Sequence, residues 1–313
     1  MIEITSLDLA RFRAEDQVVA AVGFFDGLHL AHQEIIRVCR DRAQQRGGLS
    51  VVFTFQNHPA AVLAPDRCPT LITPYALKRA GLERLGVDTL VAVPFDLAFS
   101  RITAEAFIRD ILAGLLHARE IVVGFNFHFG HARQGTPERL EQAVPECFEH
   151  VWIIPPHVQD DQPVSSTRIR KEILQGRLDW VAQGLGRDFQ IAGDVIRGDE
   201  RGRSFGFPTA NLDVHHQVLP PHGVYGVRVC IGSLDGEPHW GVMNVGVLPT
   251  FGEKPVPTVE IHLLDFHGDL YGQWLIADVL HLLRPERKFD GVQELTEQIH
   301  NDIAAFRAWL PSH

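Results

Sequence analysis

The stretch VVAAVGFFDGLHLAH, residues 18–32, decides how the first half of the chain folds. Val18 to Gly23 is an uncharged run of small and β-branched residues, short enough for a strand buried on both faces. Gly23 and Gly27 permit a sharp turn, and from His29 to Arg46 the pattern is helical. A buried strand that runs through a glycine turn into a helix opens a parallel-sheet unit. Outward from it the alternation recurs. Leu49 to Phe55, Thr89 to Val93, Glu120 to Gly124 and Val151 to Pro155 read as buried strands, with helical stretches from Tyr75 to Leu85 and from Thr103 to Leu116 between them. In the latter, Phe107, Ile111, Leu112 and Leu115 make one apolar stripe. The first half is therefore α/β, a parallel sheet with helices, and its site is expected at the carboxyl ends of the strands.

The periodicity changes near Gly184 to Arg187. Val224 to Ile231, Trp240 to Val245, Thr258 to Asp265 and Leu275 to Leu283 are short strands, with Asp235-Gly236 and His267-Gly268-Asp269 between them as hairpin signals. One amphipathic helix, Asp290 to Leu310, ends the pattern with Val292, Leu295, Ile299, Ile303, Phe306 and Leu310 on one side. This half reads as a small antiparallel β-barrel capped by a helix. Arg177 to Phe189 reads as the linker, which places the expected domains at 1–184 and 185–313.

Composition bounds the partners. At about 150 residues per domain, 313 residues suggest two domains. Lys and Arg total 29 against 39 Asp and Glu, a formal charge of −10, so the basic field that a nucleic-acid partner requires is missing. Cys39, Cys68, Cys147 and Cys230 lie far apart with no CxxC pair, as in a cytoplasmic protein with reduced thiols. The first eight residues carry acids where a signal peptide has Lys or Arg, and the longest uncharged stretch, Gly47 to Pro65, is broken by Gln56, Asn57, His58 and Pro59. Neither export nor a membrane partner is expected.

Three segments carry candidate chemistry, the first two at the carboxyl edge of the sheet. In residues 23–32, His29 and His32 are three apart and share one face of the first helical turn, where N–H groups and the helix dipole favour an anion. Two surface histidines on a strand-to-helix turn, or half of a metal site, are the other readings of an HxxH pair. The second segment is residues 124–130, GFNFHFG. The third, Val164 to Arg170, opens a helix with three hydroxyls and two arginines. Those hydroxyls commonly cap a helix, but arginines at its start oppose the dipole unless an anion lies between them.

Together these segments resemble the bacterial bifunctional riboflavin kinase/FAD synthetase family, whose N-terminal half is an HxGH nucleotidyltransferase. Gly23 to His32 is similar to its GxFDGxHxGH signature, Thr54 to Pro59 to its TFxxHP segment, and Ser165 to Arg170 to its SSTxxR motif. The resemblance implies that His29 and His32 hold ATP phosphates, that Gly23, Asn126, Ser166 and Thr167 bind nucleotide, and that Arg170 stabilises charge in adenylyl transfer. Ala31 stands where the family usually has Gly.

The second half opens with a glycine-rich loop, residues 193–212, whose backbone N–H groups can wrap phosphate and whose Arg201 and Arg203 add charge. Thr209 and Asn211, two apart in an extended segment, face one side and could hold a hard cation; a mobile hairpin in which both serve the turn is the even-weighted alternative. In Thr258 to Leu263, alternation puts Glu260 and His262 on the face opposite Val259, Ile261 and Leu263. These residues resemble the riboflavin kinase signature GxxxGRxxGFPTANL and the segments Asn244-Val245-Gly246, Pro249 to Gly252 and Val259 to His262. The resemblance implies Mg²⁺ at Thr209 and Asn211, phosphate binding at Gly198, Arg203 and Gly206, and Glu260 as catalytic base. It implies ATP-driven phosphorylation of riboflavin to FMN, then adenylylation of FMN to FAD with release of pyrophosphate. The alternatives are a kinase alone with an adenylyltransferase half impaired by Ala31, a non-catalytic flavin carrier, and a nicotinamide or pantetheine adenylyltransferase.

Overall fold

A computed structural model describes residues 1–144, 146–198, 206–248 and 256–310. The chain divides into two units, Met1–Thr70 with Tyr75–Ser166, and Leu71–Pro74 with Thr167–His313. The first carries six parallel strands, β1 (Ile2–Ile4), β2 (Val19–Val22), β3 (Ser50–Phe55), β4 (Thr89–Val93), β5 (Glu120–Gly124) and β6 (His150–Ile154), in the order β1-β4-β3-β2-β5-β6. Every pairing is parallel. Val18, Ala20 and Val22 enter one core with Phe53, Phe107 and Leu112, whereas Val19 and Ala21 enter the other with Ile36 and Leu82. Both faces are thus covered, which is why the strand reads as an unbroken apolar run. The chain passes from β2 outward through β3 and β4, then returns to place β5 on the other side of β2. Loops that leave β2 and β5 diverge there and open a crevice at the carboxyl edge.

The helices of this unit are α1 (Leu30–Arg46), α2 (Pro59–Leu63), α3 (Tyr75–Arg84), α4 (Ala104–Ala106) and α5 (Pro137–Glu141). Beyond α4 the expected helix continues as a π-helix over Phe107–Leu115, and Gly114 makes room for the Arg109 carbonyl that the wider coil brings towards it. A two-residue ribbon, β7 (Val158–Gln159) with β8 (Gln162–Pro163), precedes α6 (Ser166–Leu174).

The second unit begins differently from expectation. The stretch read as linker contains a helix, α7 (Leu178–Leu185), and then enters strand β9 (Phe189–Ile196). With β10 (Ala210–Asp213), β11 (Gly223–Ile231), β12 (Pro238–Leu248), β13 (Val256–Leu263) and β14 (Trp274–Pro285) it forms a closed antiparallel barrel, ordered β10-β13-β12-β11-β14-β9. The Asp235-Gly236 turn does join a hairpin, β11 with β12. His267-Gly268-Asp269 does not. β13 pairs with β10 and β12, and β14 with β11 and β9, so that turn leads a crossover. A turn signature marks a reversal of direction, not the next pairing partner. The final helix, α8 (Val292–Trp309), seats Phe306 where Gly226 offers no side chain, and Asp302 accepts from Arg284 Nε at 3.0 Å.

Candidate functional site

In the first unit the site grows from the turn after β2. Phe25 (φ +57°), Gly27 (φ +87°) and Leu28 (φ +44°) all lie in the left-handed region. For the two non-glycine residues this costs of order 1–3 kcal/mol each, and it persists only where packing over-determines it. Both side chains are buried, which meets that condition. Gly23 lets the Phe25 ring fold back over the turn, since a Cβ there would lie 3.0 Å from the ring. The turn delivers His29 to the N-cap of α1, a helix of 17 residues, with His32 one turn on. Their rings stack at 3.6 Å with 19° between planes. His29 is 4% exposed, and His32 Nδ1 is buried with no hydrogen-bond partner among the described residues. Burial, and then the nearby His29 and Lys78, hold protonation of His32 well below the usual imidazole range. His32 therefore offers a neutral imidazole beside His29 at the positive end of a helix, which suits phosphate oxygens.

Sequence reasoning missed Lys78, on α3. Its Nζ donates to the carbonyls of Phe55 at 2.8 Å and Phe24 at 3.1 Å and to Thr54 Oγ1 at 3.3 Å. Lysine on a helix reads by default as a solvated face. His58 caps α2 by accepting from the Ala60 N–H and packs edge-on against Phe24 at 4.7 Å.

Of the other residues expected in this half, Ser166 meets the turn directly, its hydroxyl donating to the Asp26 carbonyl at 3.0 Å. Asn126 is exposed in the loop after β5, and its carbonyl lies 2.8 Å from His128 Nδ1. Thr167 and Arg170 follow on α6, the first exposed and the second half-buried, and both count with the second unit.

In the second unit the strands assemble the site. Glu260 on β13 is in register with Asn211 on β10 at one side and with Asn244 on β12 at the other. Thr209 Oγ1 lies 3.5 Å from Glu260 Oε2. Val259, Ile261 and Leu263 are buried in the barrel while Glu260 and His262 take the opposite face, as alternation requires. Gly198 is needed where it stands because a side chain there would collide with the Asn211 amide, so the loop backbone runs directly over that amide. Gly206 has φ +86°. His262 holds the segment before β10, with Nδ1 2.9 Å from the Pro208 carbonyl and its ring edge-on to Phe207. Asn244 was not singled out from sequence; its strand register with a singled-out glutamate is the signal that finds it. Arg201, Arg203 and the segment from Pro249 to Gly252 lie outside the described residues.

Among the described residues no group of three or more His, Cys, Asp or Glu could hold a metal ion. Nor is any helix among them long and apolar enough to cross a membrane. A cation at the second site would meet neutral Thr209 and Asn211 oxygens beside one carboxylate. That set suits an ion that takes its remaining ligands from phosphate and water, as Mg²⁺ does.

The FAD synthetase family model matches residues 12–168 and the riboflavin kinase family model residues 185–310. A bifunctional riboflavin kinase/FMN adenylyltransferase of Listeria monocytogenes is 36% identical over 93% of this chain and 92% of its own length. The protein of the same name from Bacillus subtilis is 36% identical over 91% and 90%. A crystal structure titled as a macrolide-efflux protein from Streptococcus pneumoniae superposes with a TM-score of 0.83 at 32% identity, covering 98% of this chain and 99% of that one.

Proposed function

The chain belongs to the bifunctional riboflavin kinase/FMN adenylyltransferase family, and from that premise we propose how its residues divide the two reactions. The enzyme phosphorylates riboflavin and adenylylates FMN, both at the expense of ATP. A kinase alone is not favoured, because the FAD synthetase model matches residues 12–168, which hold five of the six strands of the sheet.

Phosphorylation belongs to residues 185–313 in this reading. The observation that carries it is the in-register row Asn211, Glu260, Asn244 with Thr209 beside the carboxylate. A neutral hydroxyl must lose a proton as it attacks the γ-phosphorus, and Glu260 accepts it. Gly198, Gly206 and Arg203 are the proposed phosphate-binding residues. Mg²⁺ would be held by the Thr209 and Asn211 oxygens and would neutralise phosphate charge when bound. Glu260 and Asn244, adjacent across the strands, orient the reacting hydroxyl.

Adenylylation belongs to residues 1–184. Here the nucleophile is the FMN phosphate, already anionic, so the site needs no base. It needs two anions held together. His29 and His32 donate to the ATP phosphates at the α1 N-terminus, Gly23, Asn126, Ser166 and Thr167 bind the nucleotide, and Arg170 stabilises the charge that develops as the α-phosphorus is attacked and pyrophosphate leaves. Riboflavin, FMN and ATP are then the partners, and the cytoplasm, where ATP and reduced thiols occur, is the proposed location.

The test is chromatographic. Purified protein is incubated with Mg²⁺ and ATP plus either riboflavin or FMN. Riboflavin is expected to give FMN and then FAD; no FMN overturns the kinase assignment, and FMN without FAD restores the kinase-only alternative.

A further inference from the structure

Of the 29 Lys and Arg residues only four are lysine, and one of these, Lys78, is 2% exposed. A buried ammonium loses several kcal/mol of hydration, and an apolar side chain of the same volume would fill the space more cheaply. Its surroundings show what it does instead. The ammonium has three N–H donors and three oxygens around it, the carbonyls of Phe24 and Phe55 and the hydroxyl of Thr54. The Thr54 hydroxyl itself donates to the Phe24 carbonyl at 3.1 Å, and the ammonium joins that pair to the Phe55 carbonyl. The Phe24 ring lies 4.3 Å from Nζ and adds a cation–π contact. Three residues along α3, Gly81 leaves the space into which the Leu28 side chain packs. One face of α3 thus grips both ends of the left-handed turn, Phe24 at its start and Leu28 at its end.

We infer that Lys78 is a positioning residue for FMN adenylylation: by tying the Phe24 carbonyl to the end of β3 it holds the turn in the form that presents His29 and His32 to phosphate. It is walled off from solvent and acts through the turn rather than on the nucleotide. The compact ammonium explains lysine in an arginine-rich chain, since a planar guanidinium could not reach three oxygens converging on one point. Burial brings the Lys78 pKa down to about 7, and Asp26 of the turn works against that shift by favouring the charged form.

The inference rests on assigning adenylylation to this unit, and the test separates the two. FAD formation from FMN is measured against ATP concentration for the full chain and for Lys78→Met, with riboflavin phosphorylation as the control. The variant is expected to raise the ATP KM of FAD formation on the order of tenfold, the worth of a lost charge-assisted hydrogen bond, with the ATP KM of the kinase reaction within about twofold of wild type. A merely structural lysine would lower kcat in proportion to the folded fraction, read by circular dichroism, and leave KM alone; that result overturns the inference. Should Lys78→Met fail to fold, Thr54→Val removes the linking hydroxyl without a change of shape. It is expected to raise the same KM roughly two- to fivefold, and an unchanged KM overturns the inference. Failure of the wild-type chain to make FAD from FMN overturns the functional assignment itself.

Discussion

At the turn from Gly23 to His29 the chemistry sits on backbone that is buried and bent into the left-handed region, whereas at the row Asn211, Glu260, Asn244 it sits on ordinary extended strands. The first site presents two stacked imidazoles on a helix N-terminus, the second a carboxylate beside neutral oxygens. In the proposed division this difference would follow the nucleophiles. A phosphate attacking a phosphate brings repulsion that a rigid cradle at a helix N-terminus would offset, with the rigidity supplied by strain held in a packed core. An alcohol attacking a phosphate brings a proton that must be removed, and a strand face can present a base between the residues in register with it.

The largest expected effect cuts the comparison in two. Glu260→Gln keeps shape and hydrogen bonding but cannot accept the proton, so FMN formation from riboflavin should fall by about 10²- to 10⁴-fold. FAD formation from supplied FMN should be unchanged in the same sample. Loss of both activities would mean the two sites are not separate.

Next is the mirror experiment at the turn. His29→Ala removes one donor from the phosphate cradle, and FAD formation should drop by roughly 10²- to 10³-fold, as for loss of one donor that stabilises a charged transition state. Riboflavin phosphorylation measured alongside is the control. A fall of less than about threefold would show that the α1 N-terminus holds the phosphates without the imidazole.

These predictions rest on residues of unequal legibility. β2 was readable because burial on both faces leaves no polar residue in Val18 to Val22. Helical and strand periods put His29, His32 and Glu260 on polar faces, which a solvated surface would also do; what singled them out was the resemblance of the surrounding segments to the family's motifs. β1 escaped because three residues at a sheet edge, none fully buried, carry too little pattern. β9 was read as linker and loop because Gly193 interrupts it; that glycine is required because a side chain there would strike the Asp213 carbonyl of the neighbouring strand. A glycine in a strand signals either a loop or a close backbone approach, and only the pairing decides which. Lys78 escaped for a different reason: nothing local marks a lysine as buried when its three acceptors come from 23 to 54 residues away in the chain.

A third prediction concerns the opposite edge of the sheet, where stability rather than chemistry is concentrated. Glu120, at the start of β5, is 1% exposed and accepts from Arg42 at 2.8 and 2.9 Å, from Arg46 at 2.9 Å and from the Trp152 indole at 2.6 Å. Burial alone would raise its pKa, but hydrogen bonds from Arg42 and Trp152 and the arginine charge prevail and bring it down to about 2. Against an ordinary 4.5 this is worth about 3 kcal/mol at neutral pH. Because the folded value is the lower one, the stabilisation is full above the ordinary pKa and is lost as pH falls from 4.5 towards 2. Glu120→Gln should lower the thermal midpoint for loss of FAD formation by roughly 6–12 °C at pH 7, with turnover below the transition unchanged. The gap between variant and wild type should narrow by about half at pH 3 and close as pH falls towards 2, as thermal scans at successive pH values would show. A gap independent of pH would mean packing, not charge, is what the glutamate contributes.

The smallest effect is expected at Ala31, and it bears on whether the strained turn demands glycine throughout. Ala31 is the second residue of α1 and is absent from the positive-φ positions, so its backbone is one any L-residue adopts. Conformation therefore gives no reason for glycine there, unlike Gly27 with φ +87° two residues before His29. What remains is close approach: a methyl between the two histidines stands nearer the phosphates than a hydrogen would. Ala31→Gly should change kcat/KM for FAD formation by less than about threefold, because any relief of that contact is offset by up to about 1 kcal/mol of lost helix propensity at the N-terminus of α1. A gain of tenfold or more in the same assay would mean the methyl obstructs the nucleotide, and the cradle would then be an imperfect version of the one its turn geometry describes.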